Sequence, residues 1–130
     1  LNLKIVSSMG AGGKLDPTKI RTADLFDTRE CYLAALVRKR IRKLGVKKGI
    51  KAVFSLEKVK DESLILTDGS NFKKSAYGTI SYLPAAFGGA CASIVIRDLL
   101  NEPIPMEKRP KAFLKMEKRK KPKIIPETKF

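Results

Sequence analysis

VSSMGAGGKLDPTKIRTADLFDTRE, residues 6–30, is the stretch on which the fold turns. Val6 to Ser8 closes a short strand that starts near Leu1 (LNLKIVSS), and Met9 to Gly13 is its glycine-rich exit. Asp16-Pro17 signals a turn, and Thr18 to Ala23 alternates as a second strand. Gly10, Gly12 and Gly13 have a structural use here, a tight strand exit with close backbone approach. The N–H groups of such a loop also suit a phosphate. The string nevertheless matches neither nucleotide-binding pattern. GxxxxGK[ST] would need Ser or Thr at Leu15 and Gly at Ser8; GxGxxG would need Gly at Leu15, and Pro17 disfavours an immediate helix.

Beyond this stretch, Asp27 or Thr28 is a candidate N-cap, with Glu30 three residues after Asp27. A helix is predicted to run to about Lys43 and to stop at Gly45. Leu33, Leu36, Val37, Ile41 and Leu44 form its apolar stripe, while Arg38, Lys39, Arg42 and Lys43 fan over the other side. Arg40 falls on the apolar side and would have to reach past it to water. Lys47, Lys48 and Lys51 prolong the positive field. Cations near a helix C-terminus suit its dipole; a run with almost no acidic partners also suits a phosphate backbone. Cys31, near the helix start, is read as an ordinary half-buried thiol, although the dipole there favours thiolate.

Lys51 to Leu56 is strand-like, Ser63 to Leu66 reads as a short edge strand, and Asp68 to Asn71 as a turn. Pro84 suits the first turn of a helix through Ala85 to Leu100. That helix is apolar nearly all round, so it is expected to be buried on several sides. Gly88, Gly89, Ala92 and Ser93 leave it shallow enough for a sheet face or a subunit contact, and Cys91 is a small apolar residue. Residues 101–130 hold five of the seven prolines and ten of the lysines and arginines. They read as a Lys/Pro-rich basic tail, with one short helix around Ala112 to Lys121.

The 130 residues amount to one domain, and 43% are hydrophobic, enough for one modest core. Lys and Arg outnumber Asp and Glu 28 to 13, a net charge of +15 that points to a polyanionic partner. The absence of His excludes His-based triads and His-ligated zinc within this chain. Two cysteines cannot make a four-thiolate metal site, and they read as reduced thiols of a cytoplasmic protein. No stretch approaches a membrane span. The stacking aromatics in mid-chain are Phe72, Tyr77 and Tyr82, without an RNP-like string.

VSSMGAGGKLDPTKIRTADLFDTRE, followed by LAALVRKRIRKLGV (33–46), resembles the second half of the ThiF-type, ubiquitin-activating-enzyme-like family. The similarity is greatest to its tRNA threonylcarbamoyladenosine dehydratase branch. KAVFSLEK (51–58) and GTISYLPAAFGGACASIVIRDLL (78–100) extend the resemblance in order and spacing. It implies an α/β fold: residues 1–100 as the mixed-sheet C-terminal half of a ThiF-like, Rossmann-type domain, and residues 101–130 as its basic tail. It implies ATP and Mg2+ as cofactors, held by an N-terminal half absent from this chain; an apolar, strand-like opening without Met agrees with that expectation. The implied activity is adenylation of the carboxylate on a tRNA threonylcarbamoyladenosine and its cyclisation with loss of AMP, in a homodimer. No catalytic, cofactor-binding or metal-binding residue carries over, and this chain alone is expected to be inactive. Its expected share is scaffold and a tRNA-facing basic surface: Lys14, Arg38, Lys39, Arg42, Lys43, Lys47 and Lys48. Two alternatives stand beside this: an adenylyltransferase of the same family acting on a small sulfur-carrier protein, and a stand-alone basic RNA-binding module.

Overall fold

Three strands make a mixed sheet in the computed structural model, which describes residues 3–68 and 75–111. They are β1 (Ile5–Ser8), β2 (Ile20–Asp24) and β3 (Ile50–Ser55), in the order β1-β3-β2. β3 runs parallel to β1 and antiparallel to β2, with Val53 opposite both Ser8 and Thr22. Being central, β3 buries Ala52 to Ser55 completely, so both its faces read apolar. Its side chains alternate between two cores. Ala52 and Phe54 join Met9, Ala23, Leu25 and Ala34 on the side of α1 (Tyr32–Lys43). Val53 joins Leu83, Phe87 and Ile94 on the side of α2 (Tyr82–Leu99). Burying rings such as Phe54 and Phe87 contributes about 2–3 kcal/mol each, so these two residues anchor the two layers.

The α1 layer differs from the sequence expectation in register. The buried face is Ala34, Val37, Arg38 and Ile41, whereas Leu33, Leu36 and Leu44 are exposed, Leu44 by 80%. The helix also starts later than Asp27 or Thr28. Glu30 adopts a left-handed φ of 52°, which breaks any helix running through it. Cys31 becomes the N-cap, its Sγ accepting from the Ala34 N–H at 3.5 Å. Thr28 is instead fully buried, donating its hydroxyl to the Leu25 carbonyl at 2.7 Å. Gly45 ends the helix at φ 84°, as its sequence position predicts.

α2 corrects a second expectation. It is buried along one stripe only, Leu83, Phe87 and Ile94, with Ala86, Ala90, Cys91 and Asp98 half-buried. Its far side, including Gly88, Gly89, Ala92, Val95, Ile96 and Leu99, is exposed; a Cβ on either glycine would meet nothing within 4 Å. Lys51 and Asp98 form an ion pair between β3 and the end of this helix. Burial raises the Cys91 thiol pKa, which keeps that thiol protonated.

Two features lay outside the sequence reading. β4 (Leu64–Leu66), the expected edge strand, pairs antiparallel with an unforeseen β5 (Ser75–Tyr77) in a separate two-stranded sheet. The opening of the expected solvated tail, residues 102–109, lies along the free edge of β2. The Glu107 N–H donates to the Thr22 carbonyl at 2.7 Å, and the Arg29 guanidinium meets the Glu107 carboxylate at 2.7 Å. The short helix expected around Ala112 to Lys121, and Phe72, lie outside the described residues.

Candidate functional site

In open α/β sheets, ligands bind outside the carboxyl ends of the strands. Here the carboxyl ends of β1 and β3 release the glycine loop and residues 56–60 side by side. The Met9 N–H still donates to Val53 at 2.9 Å, and the chain then turns through Gly13 at φ 70°. Gly13 has no alternative: a Cβ there would lie 2.6 Å from Val59 Cγ1 and 3.2 Å from Tyr77 Cδ1. Lys14 then points inward. Its Nζ donates to the carbonyls of Glu30, Ser55 and Glu57 at 3.0, 3.3 and 2.5 Å. Desolvation lowers its pKa, while the neighbouring Cys31, Glu57 and Glu30 oppose that shift. The Glu57 carboxylate returns the contact, accepting from the N–H groups of Leu15 and Asp16 at 2.9 and 2.8 Å. A cleft of about 260 Å³ opens beside this knot, walled by Gly10, Gly12, Cys31, Tyr32, Val59 and Tyr77.

The sequence-derived cations divide into two groups. Lys14 and Arg38 were expected on the tRNA-facing surface, and the structure buries both, 2% and 4% exposed. The Arg38 Nη1 donates to the Thr28 carbonyl at 2.9 Å and also to the Thr28 hydroxyl. Three carbonyls converge on the Lys14 head and Thr28 holds the Arg38 head, and a buried cation must be so satisfied. Lys39, Arg42, Lys43, Lys47 and Lys48 are exposed, and so is Arg40. Among the described residues, Lys39, Lys43, Lys47 and Lys48 enter no ion pair. Arg42 lies over the Phe26 ring, 5.3 Å from its centroid, so part of its affinity is used within the fold. Sequence reasoning overlooked Tyr32. The signal was its position one residue before the apolar stripe, where a large aromatic ring has no core to enter.

The end of the glycine loop, from Gly13 to Asp16, is turned towards acceptors within the protein. The Gly13 N–H donates to the Gly78 carbonyl at 2.8 Å, the N–H groups of Leu15 and Asp16 hold Glu57, and the Lys14 ammonium is enclosed by carbonyls. An anion approaching Leu15 and Asp16 would therefore face the Glu57 carboxylate in place of free donors. Nor do the described residues bring together three Asp, Glu or Cys side chains able to hold a metal ion. No described helix is long and apolar enough to cross a membrane.

No protein-family model matches the sequence. Individual proteins do. The chain is 32% identical over 122 residues to tRNA threonylcarbamoyladenosine dehydratase 2 of Saccharomyces cerevisiae, covering 81% of the chain. It is 32% identical over 113 residues to the tRNA threonylcarbamoyladenosine dehydratase of Bacillus subtilis, covering 78%. The chain is a relative of the tRNA threonylcarbamoyladenosine dehydratases. The fold agrees: TcdA, the E. coli dehydratase, superimposes with a TM-score of 0.60 at 30% identity over 74% of this chain, in structures holding ATP and AMP. The match is partial from the dehydratases' side. The chain spans 27% of the length of the yeast enzyme, 42% of the Bacillus enzyme and 37% of TcdA.

Proposed function

We propose that this chain is the C-terminal half of an ATP-dependent tRNA threonylcarbamoyladenosine dehydratase, supplying sheet scaffold and a tRNA-facing basic surface. The observation that carries this reading is 32% identity along 81% of the chain to an enzyme of that name. In the whole enzyme, adenylation replaces a poor leaving group on the substrate carboxylate with AMP, and a nucleophile within the same nucleoside then closes the ring. In this reading the residues that hold ATP and Mg2+ belong outside this chain, where the N–H groups of Leu15 and Asp16, just after the glycine loop, are held by Glu57. The tRNA surface is Lys39, Arg42, Lys43, Lys47 and Lys48, which stand exposed on α1 and the loop after it. Phosphate contacts of this kind position an RNA without reading its bases.

Partners in this reading are tRNA, the N-terminal half of the same enzyme and a second copy. The bare outer face of α2 supports a subunit contact, and the two free thiols agree with a reducing cytoplasm. The test is tRNA binding by the chain across a salt series, alongside ATP turnover. We expect affinity to fall steeply with salt, by a log–log slope of about −0.7 to −0.9 per phosphate contact, and no ATP turnover. Binding indifferent to salt, or preferential binding of an acidic carrier protein, would overturn the assignment of the basic surface. ATP hydrolysis by the chain alone would overturn the placement of the nucleotide site.

A further inference from the structure

Tyr32 opens α1 with 71% of its surface accessible, against 41% for Tyr77 and 46% for Tyr82. Tyr32 lines the cleft beside the Lys14 knot. Tyr77 lines the same cleft from β5, together with Gly10 and Gly12, which carry no Cβ, and with Cys31, Leu33 and Val59. At ~100° per residue, Lys39 and Lys43 fall within about 20° of Tyr32 on the helix surface. Tyr32 therefore stands at one end of a positive track that extends about 16 Å along α1.

We infer that Tyr32 and Tyr77 form a stacking platform for an unpaired base, with the phosphates of that strand drawn along Lys39 and Lys43. The inference rests on the tRNA reading above and adds a binding site to it. Single-stranded RNA is held by this combination, aromatic faces for bases beside a basic track for the backbone. Duplex RNA offers the same phosphates and no free base face, so the platform separates a tRNA loop from its stems.

The chain has three tyrosines and no tryptophan, so its intrinsic emission reports on these rings. The experiment titrates the chain with an RNA stem-loop and with a blunt RNA duplex of equal phosphate number. The stem-loop is expected to quench tyrosine emission and to bind more tightly than the duplex. Tyr32→Ala should lose about ten-fold in stem-loop affinity, with duplex binding and salt slope unchanged; Tyr32→Phe should keep the affinity. Lys39→Ala should weaken both RNAs and reduce the salt slope by about 1. Circular dichroism checks that each exposed-site variant is folded. Stem-loop binding by Tyr32→Ala equal to that of the unmodified chain overturns the platform and leaves the tRNA reading standing. An unmodified chain that binds neither RNA overturns both.

Discussion

Lys14 shows how one side chain is diverted from a surface role. Its ammonium closes three backbone carbonyls, one from Glu30 before α1 and two from Ser55 and Glu57 at the end of β3, and no apolar side chain of that length satisfies them. Lys14→Met is expected to destabilise the fold by about 3 kcal/mol at neutral pH, because the carbonyls stay buried without a donor. The pH dependence has a definite sign. Burial lowers the folded-state pKa below 10.5, so between that lowered value and 10.5 the unfolded chain binds more protons. Stability then rises with pH, and the advantage over Lys14→Met should widen as 10.5 is approached. Urea unfolding of both proteins at neutral pH and at about pH 10 checks this; a constant or narrowing gap contradicts it. Gly13→Ala combines a left-handed φ with a Cβ 2.6 Å from Val59. It should cost about 2–3 kcal/mol, read as a lower urea midpoint.

At the scale of elements, the two helices present opposite problems. α1 has two adjacent apolar strips, Ala34-Val37-Ile41 and Leu33-Leu36-Leu44, and only the first packs on the sheet. Ala34 wins because it is small enough for close approach, and Arg38 on the same face finds Thr28. α2 packs one stripe and leaves glycines on the other. Gly88→Ala meets open space, so it should stabilise the chain by about 0.5–1 kcal/mol through helix propensity. Thermal unfolding should show a Tm a few degrees higher. If the outer face of α2 carries the proposed contact with a second copy, the same substitution should lower the dimer fraction in sedimentation experiments. A dimer unchanged by it would place the subunit contact elsewhere.

For the whole molecule, the decisive feature is how the sheet ends. β2 is an edge strand, a site for unwanted pairing unless covered. The strap of residues 102–109 covers it through the Glu107–Thr22 hydrogen bond, with Ile104 packed against the α2 core. The Arg29–Glu107 ion pair on top of it is partly exposed, so Arg29→Ala should cost no more than about 1 kcal/mol. A chain ending at Leu100 loses the strap itself. It should unfold at clearly lower urea and show more light scattering than Arg29→Ala. Equal stability of the two would show that the strap contributes only through its ion pair.

Much of this was legible in residue order because it depends on neighbours in the chain. β3 was visible in KAVFSL, the end of α1 in Gly45, and the relationship to the dehydratases in the string from Val6 to Glu30. Net charge and the absence of His likewise needed no coordinates. The orientation of α1, the partner of β4, the covering of β2 and the fate of Lys14 and Arg38 did not follow from order. Lys14 reads locally as one more surface lysine; the carbonyls that bury it come from 16, 41 and 43 residues away. A charge is held inside only where such distant acceptors converge, and their convergence is a property of the packed chain.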